Sequence, residues 1–549
     1  MLLGGASAGA AALALVGCER SATGGSDGGA SDGGTGARGA DGILRISGTE
    51  PGTRLIPSDV NEVGAGRVIG GVFSMLLFHD ATGQRVLECA RSIESEDNQH
   101  WTITLEPGRT FHDGTPVTAQ SFVDAWNFGA LSTNAQKNQV FYAPIAGFEA
   151  VAAEPPAAQT LSGLAVVDEA TFTVELTAAQ SDFPDLLGCV PFMPLPAAAY
   201  EDIEAFGQAP IGNGPYRLEA WEHDSEIRLV PFDGYQGPRE SANDGVVIAL
   251  YADPDTAYND LLSGEVDLVD GIPSSALATF EDELDGRAVN QPGALLLSLT
   301  IPVGNADFAG EASLLRRAAI SRAIDRASIC TDLFAGTRVP ATDFIAPSIN
   351  GGGATDLAGA EVLAFDADAA RDLWARAEAI APYSGAPFTL DYAADLPDKE
   401  WVEAVCNSIA NTLGITATPQ SHPSIAEYRA LLAERQIPGA FRSSWQADYP
   451  SMFNFLGPIF SSTARAAGGT NFSDYANPVF DDLLLQGLAA PDVEQAIAAW
   501  RQAEEMLLRD LPAIPLWYQN TLGGYGEGVR DVVFGWNSFP FYFEASKEP

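Results

Sequence analysis

Two glycine-rich segments near the start of the chain carry residue spacings that are typical of chemical sites. Residues 5–9 satisfy the Gly-x-Ser-x-Gly pattern, which presents a nucleophilic serine at a sharp turn in hydrolases. Residues 34–39 satisfy the Gly-x-Gly-x-x-Gly pattern, which brings backbone amides close to a dinucleotide. Neither segment has the preceding strand and following helix through which such a pattern acts. We therefore interpret both as chance products of a glycine-rich composition.

The residue types that bind metals or move protons are scattered along the chain. The five histidines lack metal-ligand spacing, and no Cys-x-x-Cys pair occurs. His112 lies between two turn signals, where a structural hydrogen bond is a simpler interpretation than metal binding. Because 73 acidic residues produce carboxylate pairs throughout the chain, such pairs identify no general acid and base. The sequence therefore predicts no enzyme, no metal and no cofactor.

The elements that must position any functional side chain follow a mixed α/β pattern. Residues 101–105 alternate between apolar and polar, which predicts a half-buried strand, and Thr118 stands where a helix N-cap is expected. Apolar residues at helical spacing predict a helix over 315–326 and another that begins after the N-cap Asp492. A strand is predicted at 516–518. These apolar stripes are interpreted as core.

Length and charge limit the classes of function. At 549 residues the chain is too long for one core, and a prior of roughly 150 residues per domain suggests three or four units. The formal net charge of -44 argues against nucleic acid and against a basic patch on anionic lipid. The acidity is explained by solubility, or alternatively by attraction of cationic ligands.

The first 41 residues resemble an export signal followed by a tether. An apolar run over 6–16 is shorter than the roughly 20 residues that span a bilayer. It ends in Leu-Val-Gly-Cys18, which resembles a bacterial lipobox whose thiol receives a lipid. Residues 1–18 are thus predicted to be a lipoprotein signal peptide and 19–41 a flexible tether. The positive residues expected before the apolar run are missing, so the true start is expected upstream; the alternative is a disordered apolar terminus with a chance cysteine.

One longer stretch has a specific family resemblance. Residues 101–126, WTITLEPGRTFHDGTPVTAQSFVDAW, closely resemble the signature of the family 5 extracellular solute-binding proteins, the peptide and nickel receptors of ABC importers. Further segments match the family in the usual order: IGNGPY at 211–216, SGEVD at 263–267, AIDR at 323–326, WQADYP at 445–450, NPVFD at 477–481 and LPAIPL at 511–516. The resemblance covers the chain from about residue 43 to its end.

The resemblance implies an α/β, two-lobed periplasmic-binding-protein-like fold (type II) with a ligand cleft between the lobes. Lobe one is expected over 42–295 and is completed by 514–549. An extra subdomain is expected within it over 63–193, and lobe two over 296–513. The chain is thus expected to cross between the lobes more than once.

The resemblance also implies a peptide site around the WQADYP segment. Asp448 matches the aspartate that pairs with the α-ammonium of a bound peptide; a loop cap before Tyr449 is the alternative. A buried ammonium needs such a carboxylate because desolvation is costly. Residues 443–446, with Ser444 and Gln446, match the strand edge that hydrogen-bonds the peptide main chain.

Three further positions match cleft residues of the family. Arg442 matches a residue that can meet the ligand carboxylate, although a surface arginine is equally compatible with the sequence. Glu50 resembles an acidic residue of the first strand. Trp445 is expected to form the wall of a side-chain pocket or part of the core. Gln446 and Ser451 depart from the family pattern, which leaves ligand length and end-group recognition open.

If Cys18 is lipidated, four cysteines remain. Their assignment to lobes, which depends on the resemblance, favours disulfides between Cys89 and Cys189 and between Cys330 and Cys406. Free buried thiols are the alternative.

Together these features predict a monomeric, lipid-anchored receptor on the outer face of the bacterial cytoplasmic membrane. It is expected to capture oligopeptides and deliver them to the permease subunits of an ABC transporter. One alternative is a receptor for another solute, such as a nickel chelate or a sugar. A more remote alternative is a lipoprotein hydrolase.

Overall fold

The computed structural model describes residues 42–466 and 469–548. The predicted signal peptide, its lipidation residue Cys18 and the tether lie outside the described residues. The fold is mixed α/β, with a large central sheet, three smaller sheets and helices packed around them.

The strands are numbered in chain order. They are β1 Ile43–Gly48, β2 Leu77–His79, β3 Arg85–Leu87, β4 Ala90–Glu94, β5 His100–Leu105, β6 Leu164–Asp168, β7 Thr171–Glu175, β8 Tyr216–Glu222, β9 Glu226–Pro231, β10 Gly245–Leu250, β11 Leu268–Val269, β12 Ala288–Thr300, β13 Arg338–Pro340, β14 Phe388–Ala393, β15 Ala417–His422, β16 Ala440–Gln446, β17 Ala513–Tyr525, β18 Val529–Arg530 and β19 Ser546–Lys547.

The α-helices are numbered in the same way. They are α1 Val63–Val72, α2 Ala119–Ala130, α3 Phe148–Ala152, α4 Phe183–Leu186, α5 Ile203–Phe206, α6 Pro254–Ser263, α7 Phe280–Leu284, α8 Ser313–Arg322, α9 Arg326–Phe334, α10 Ala367–Ile380, α11 Lys399–Leu413, α12 Ile425–Ala433, α13 Met452–Phe460, α14 Pro478–Leu488 and α15 Val493–Asp510.

The two longest strands lie in the middle of the central sheet. Its order is β15-β14-β16-β12-β17-β11-β1-β10-β9-β8, and β13 also pairs with β17. Strands β12 and β17 are antiparallel along nearly their whole length, with register shifts between Pro292 and Leu295 and between Leu297 and Ser298. Because such shifts bend and twist a strand, the sheet can continue from one half of the molecule into the other.

Two large hydrophobic cores lie on either side of these strands. The first core contains buried residues between positions 44 and 268, together with Tyr449 and residues between 529 and 545. The second core contains buried residues between 294 and 518, together with Trp536. The C-terminal segment therefore returns to pack on the first core.

Most of the predicted local elements are confirmed. Strand β5 covers the predicted 101–105. Helix α2 begins after Thr118, whose N–H donates to Ser121 Oγ at 3.2 Å. Helix α15 begins after Asp492, whose carboxylate accepts from Gln495 N–H at 2.9 Å. The continuous helix over 315–326 is wrong. Helix α8 ends at Arg322, and Asp325 caps a new helix, α9, by accepting from Ser328 N–H.

His112 joins two of the family-like motifs. Its Nδ1 accepts from Gly212 N–H at 3.2 Å and its Nε2 donates to the Gly214 carbonyl at 3.1 Å. Burial lowers the pKa of His112 to about 4, so the ring is neutral, as one donor and one acceptor require. Gly212 is needed here because a Cβ would lie 1.9 Å from the Val72 carbonyl oxygen. The structural interpretation of His112 is confirmed.

Candidate ligand-binding site

Strand β16 has one edge that lacks a complete neighbour. Along one edge it pairs with β12 from Phe441 to Gln446. Along the other edge, β14 pairs only with Ala440 and Phe441. The Arg442 carbonyl accepts from the Tyr428 hydroxyl at 2.5 Å. Within the described residues, the backbone of 443–446 therefore has no partner strand on that side. Such an edge offers N–H and C=O groups to another extended chain.

Asn454, buried in the first turn of α13, fixes the residues that follow this edge. Its Oδ1 accepts from the Trp445 indole N–H at 3.0 Å and from Asp448 N–H at 2.9 Å. Its Nδ2 donates to Asp448 Oδ2 at 3.1 Å. Asn454 is not among the residues predicted from the sequence, where the signal is only an amide six positions after Asp448. It holds the indole and the carboxylate in one orientation.

The Asp448 side chain is accessible to solvent, although protein atoms surround most of its carboxylate. Burial of the group raises its pKa above the ordinary value, and the hydrogen bond from Asn454 partly offsets this rise. Among the described residues, no Lys, Arg or His forms an ion pair with it. A carboxylate in this setting gains from the arrival of a cation, because the cation restores the interactions that desolvation removed.

The segment that carries Asp448 also contacts the first core. The Tyr449 ring is buried there, and the Cys189 thiol donates to the Asp448 carbonyl at 3.4 Å. The Ser451 hydroxyl donates to Asp182 Oδ2 at 2.8 Å. The segment that carries Asp448 thus follows a strand of the second core and is held in place from both sides.

A cavity of about 470 Å³ lies where the two cores meet. Gln446, Ala447 and Asp448 line it from the strand side. The end of α1 and its preceding loop, the segment around Cys189, and residues 536–543 line it from the other side. Its volume lies within the range of small-ligand sites, which is about 300–1,000 Å³.

The C-terminal segment provides the aromatic wall of this cavity. Its contributing residues are Trp536, Phe539, Phe541, Tyr542 and Phe543. Gln446 Nε2 donates to the Asn537 carbonyl at 3.1 Å, which joins this wall to the strand edge. The wall is not among the sequence predictions; its signal is the dense aromatic run FPFYF over 539–543.

The structure brings only some of the predicted residues together. Gln446 and Asp448 line the cavity, and Trp445 and Ser444 lie next to them on β16. Arg442 lies about 13 Å along the strand from Gln446 at about 3.3 Å per residue. Its Nε lies 3.0 Å from Asp398 Oδ2, outside hydrogen-bond alignment, so this contact is an electrostatic ion pair.

Glu50 is held away from the cavity. Its carboxylate contacts His223 Nδ1 at 2.8 Å and accepts from Asp224 N–H at 3.0 Å. These partners lie in the turn between β8 and β9. Glu50 therefore connects β1 to that hairpin in this structure, and it is not among the residues that line the cavity.

The predicted disulfides are not formed. Cys89, Cys189, Cys330 and Cys406 are buried free thiols, which is the alternative that the sequence left open. Each of the first two has its own hydrogen-bond partner: Cys89 Sγ accepts from Asn213 at 3.3 Å, and Cys189 donates to a main-chain carbonyl. Burial raises the pKa of Cys330 and Cys406 to about 12, so both thiols are protonated.

The described residues contain neither a metal-binding cluster nor a membrane-spanning helix. In 42–466 and 469–548, no group of three or more His, Cys, Asp or Glu side chains is arranged to hold a metal ion. No helix in this part of the chain combines the length and the apolar character needed to cross a bilayer.

Comparison with known proteins identifies the family. The model of the bacterial extracellular solute-binding proteins, family 5 (Middle), matches residues 86–467. The dipeptide-binding protein DppE of Bacillus subtilis is 24% identical over 451 residues, which are 80% of this chain and 79% of DppE. The periplasmic oligopeptide-binding protein OppA of Escherichia coli is 24% identical over 520 residues, 90% of this chain and 92% of OppA.

A solved structure shows the same fold. Haemophilus influenzae OppA, in complex with RPPGFSPFR, matches with a TM-score of 0.72 at 20% identity, over 93% of this chain and 99% of that one. The expected two-lobed α/β architecture and the family resemblance are both confirmed. The matched family and these relatives are binding proteins. This chain therefore belongs to the bacterial extracellular solute-binding proteins of family 5, and it is a binding protein rather than an enzyme.

Proposed function

We propose that this chain is the lipid-anchored receptor of an ABC importer and captures oligopeptides between its two lobes. The observation that carries the proposal is the position of Asp448, a carboxylate without a cation partner among the described residues, directly after the open strand edge 443–446. A peptide has the two complementary features, an α-ammonium and an adjacent extended backbone.

The peptide ammonium would bind Asp448, and its main chain would pair with β16. Backbone pairing is independent of side chains, since nearly every residue offers the same N–H and C=O groups. Asn454 supports the site by orienting the carboxylate before the ligand arrives, which lowers the entropic cost of binding.

The proposed lobes are those that the resemblance implies: 42–295 with 514–549, and 296–513, with 63–193 as a subdomain of the first. Support comes from the division of buried residues between two cores and from β12 and β17, which run between them. A peptide that contacts both sides would favour a closed arrangement by its differential affinity for that state. The closed monomer would then dock on a membrane permease.

Anchoring through Cys18 is part of the proposal and has a separate test. Expression in a bacterium, with a short Lys/Arg segment added before Met1 to supply the missing positive residues, should place the chain in the membrane fraction with a mass that includes the lipid. Cys18→Ser should release it into the soluble fraction. Recovery of both proteins in the same fraction, without a lipid mass, would remove the anchor from the proposal.

Binding is tested on the protein that lacks residues 1–41. Native mass spectrometry should detect retained peptides of mixed sequence, and calorimetry should then measure their affinity. Asp448→Asn should weaken peptide binding at least about 30-fold, since truncation of one partner of a buried charge pair costs about 2–5 kcal/mol. Asp372→Asn, which changes an exposed carboxylate on α10, is the matched control and should bind normally. A single retained non-peptide solute, with Asp448→Asn binding it unchanged, would replace the proposal with a receptor for that solute.

A further inference from the structure

The ionic groups around the cavity are almost completely paired within the protein. Arg239 donates to Glu88 at 2.8 Å and to the carbonyls of Gly70 and Phe73. Arg67 pairs with Asp270. Neither guanidinium is therefore available to a ligand carboxylate without the loss of an existing ion pair.

Two further ionisable residues of the first-core wall, His79 and Glu62, are also occupied. His79 Nε2 lies 3.2 Å from Asp185 Oδ1, and the imidazole is buried. Glu62 caps α1: its carboxylate accepts from Gly64 N–H at 2.6 Å and from Ala65 N–H at 2.8 Å. Of the two carboxylates that line the cavity, Glu62 is thus bound by helix N–H groups, whereas Asp448 has no cation partner among the described residues.

The uncharged part of the wall includes seven aromatic residues. Phe541 stacks on Phe543 with ring centroids 5.3 Å apart, and Phe78 meets Phe543 edge to face at 6.4 Å. Phe539 and Phe141 line the same cavity and are partly exposed. Such a surface favours apolar side chains, because their transfer from water is favourable.

We propose that this cavity selects peptides whose first two residues carry bulky apolar or aromatic side chains, and that it rejects acidic side chains at these positions. The inference rests on the peptide-binding function proposed above and identifies the class of peptide. A peptide terminus of this kind matches the cavity in both respects, since its ammonium meets Asp448 and its first side chains, which alternate in direction, lie among the aromatic residues of the several segments that line the cavity. An acidic side chain would lie near Asp448 without a free cation to compensate it.

The overall charge acts in the same direction. A formal net charge of -44 produces a negative field around the molecule, which disfavours the approach of acidic peptides. This long-range effect is screened by salt, whereas the contacts inside the cavity are screened much less. Discrimination against acidic peptides should therefore persist at high ionic strength, although it becomes weaker.

The test is a titration of the protein lacking residues 1–41 with tetrapeptides that differ at position one or two. Each peptide has Phe, Leu, Ser or Asp at that position and alanine elsewhere. The Phe and Leu peptides should bind about tenfold or more tightly than the Ser peptides, since burial of such a side chain is worth about 1.5–3 kcal/mol, and each 1.4 kcal/mol is a factor of ten. The Asp peptides should bind about tenfold or more weakly than the Ser peptides.

Phe539 is the residue of choice for a matched variant. It lines the cavity but does not belong to either of the two large cores described above, so its truncation leaves their packing intact. Phe539→Ala should reduce the affinity for the Phe peptides by a larger factor than the affinity for the Ser peptides. Phe539→Leu should retain most of the preference. Phe365→Ala, which changes a 45% exposed phenylalanine outside the cavity, is the control and should have no effect.

The outcomes separate this inference from the proposed function. If peptides bind with equal affinity whatever the first two side chains, or if the Asp peptides bind most tightly, the selectivity is wrong and the receptor function stands. If no peptide binds, both fail. If Phe539→Ala does not fold, the peptide series on the unchanged protein and Phe539→Leu still decide the question.

Discussion

Glu88 in the first core and Glu504 in the second are both buried glutamates, yet their surroundings are opposite. Glu88 is 1% exposed and accepts from Arg239, from the hydroxyls of Ser74 and Tyr235 and from a main-chain N–H. Glu504 is 0% exposed; its Oε1 accepts from Phe344 N–H at 3.2 Å. Its Oε2 has no hydrogen-bond partner in the described part of the chain.

The difference decides which glutamate has a cation that compensates a negative charge. Arg239 compensates Glu88 directly. For Glu504, burial raises the pKa well above the ordinary value, and the nearby carboxylate of Asp343 raises it further. Arg501 opposes this rise through space but forms no ion pair with Glu504 within the described residues. One buried acid is thus paired with a cation, whereas the surroundings of the other favour its protonated form, and the two arrangements respond differently to mutation and pH.

The largest expected effect is on the paired glutamate. Arg239→Met should destabilise the protein by about 3–5 kcal/mol, because it leaves a buried carboxylate without its cation. Urea unfolding followed by tryptophan fluorescence measures the change. The double variant Glu88→Gln, Arg239→Met should recover part of the loss. Arg376→Ala, which removes an exposed pair with Asp372, should change stability by less than about 0.5 kcal/mol. Equal losses of stability in the two arginine variants would contradict the claim that burial makes the loss of the Arg239–Glu88 pair costly.

Mutation of Glu504, which has no cation partner within the described residues, should raise the stability of the protein rather than lower it. Glu504→Gln removes the ionisation that burial penalises and keeps an acceptor for Phe344 N–H, so it should stabilise the protein by about 1–2 kcal/mol at pH 8. The pKa of Glu504 is raised in the folded state. Its contribution to stability is therefore full below the ordinary carboxyl pKa of about 4.3 and is lost as the pH rises through the folded-state pKa.

The corresponding measurement is unfolding free energy against pH. The unchanged protein should lose more stability between pH 4 and pH 8 than Glu504→Gln does, and the two curves should converge near pH 4. Parallel curves would show that the pKa of Glu504 in the folded state is not raised above its value in the unfolded chain. Asp343→Asn provides a second check, since burial also raises the pKa of Asp343, and the Tyr518 hydroxyl donates to its carboxylate.

These contacts explain where prediction from sequence succeeds and where it stops. Strand β5 and the starts of α2 and α15 follow from local alternation and from the capping residues Thr118 and Asp492, so they are predictable. The pairing of Arg239 with Glu88 joins residues 151 positions apart, and 73 acidic residues offer no means of choosing between partners. Only the folded chain distinguishes a paired acid from an unpaired one.

The candidate site shows the same limit. The family resemblance indicates Asp448 and the strand edge, because these lie in one continuous motif. Asn454 and the aromatic wall over 536–543 were missed, since their roles depend on a helix turn and on a chain terminus that returns to the first core. Glu50 and Arg442 match the family by position, but each has a partner in this chain, His223 and Asp398, that the sequence does not reveal.

The smallest effect on stability is expected at Asp182. The compensation of its negative charge by hydrogen-bond donors is intermediate between that of Glu88 and that of Glu504. Burial raises its pKa to about 6, and the hydroxyl of Ser451 and the amide of Gln180 partly offset the rise, while Asp185 adds to it. Ser451→Ala removes the hydroxyl, which donates at 2.8 Å across the junction of the two cores, and should cost about 1 kcal/mol.

The pH dependence of this variant shows whether the Ser451 hydroxyl stabilises the ionised form of Asp182. Because the folded-state pKa of Asp182 lies above the ordinary value of about 3.9, its contribution to stability is lost as the pH rises from about 4 to about 6. Without Ser451 the pKa should rise further, so the cost of Ser451→Ala should be greater at pH 8 than at pH 4. A cost that is constant with pH would mean that Ser451 acts only as the N-cap of α13, where its Oγ accepts from Phe453 N–H at 3.2 Å. The Ser451 hydroxyl would then stabilise the start of α13, and its contact with Asp182 would contribute nothing to holding the Asp448 segment against the first core.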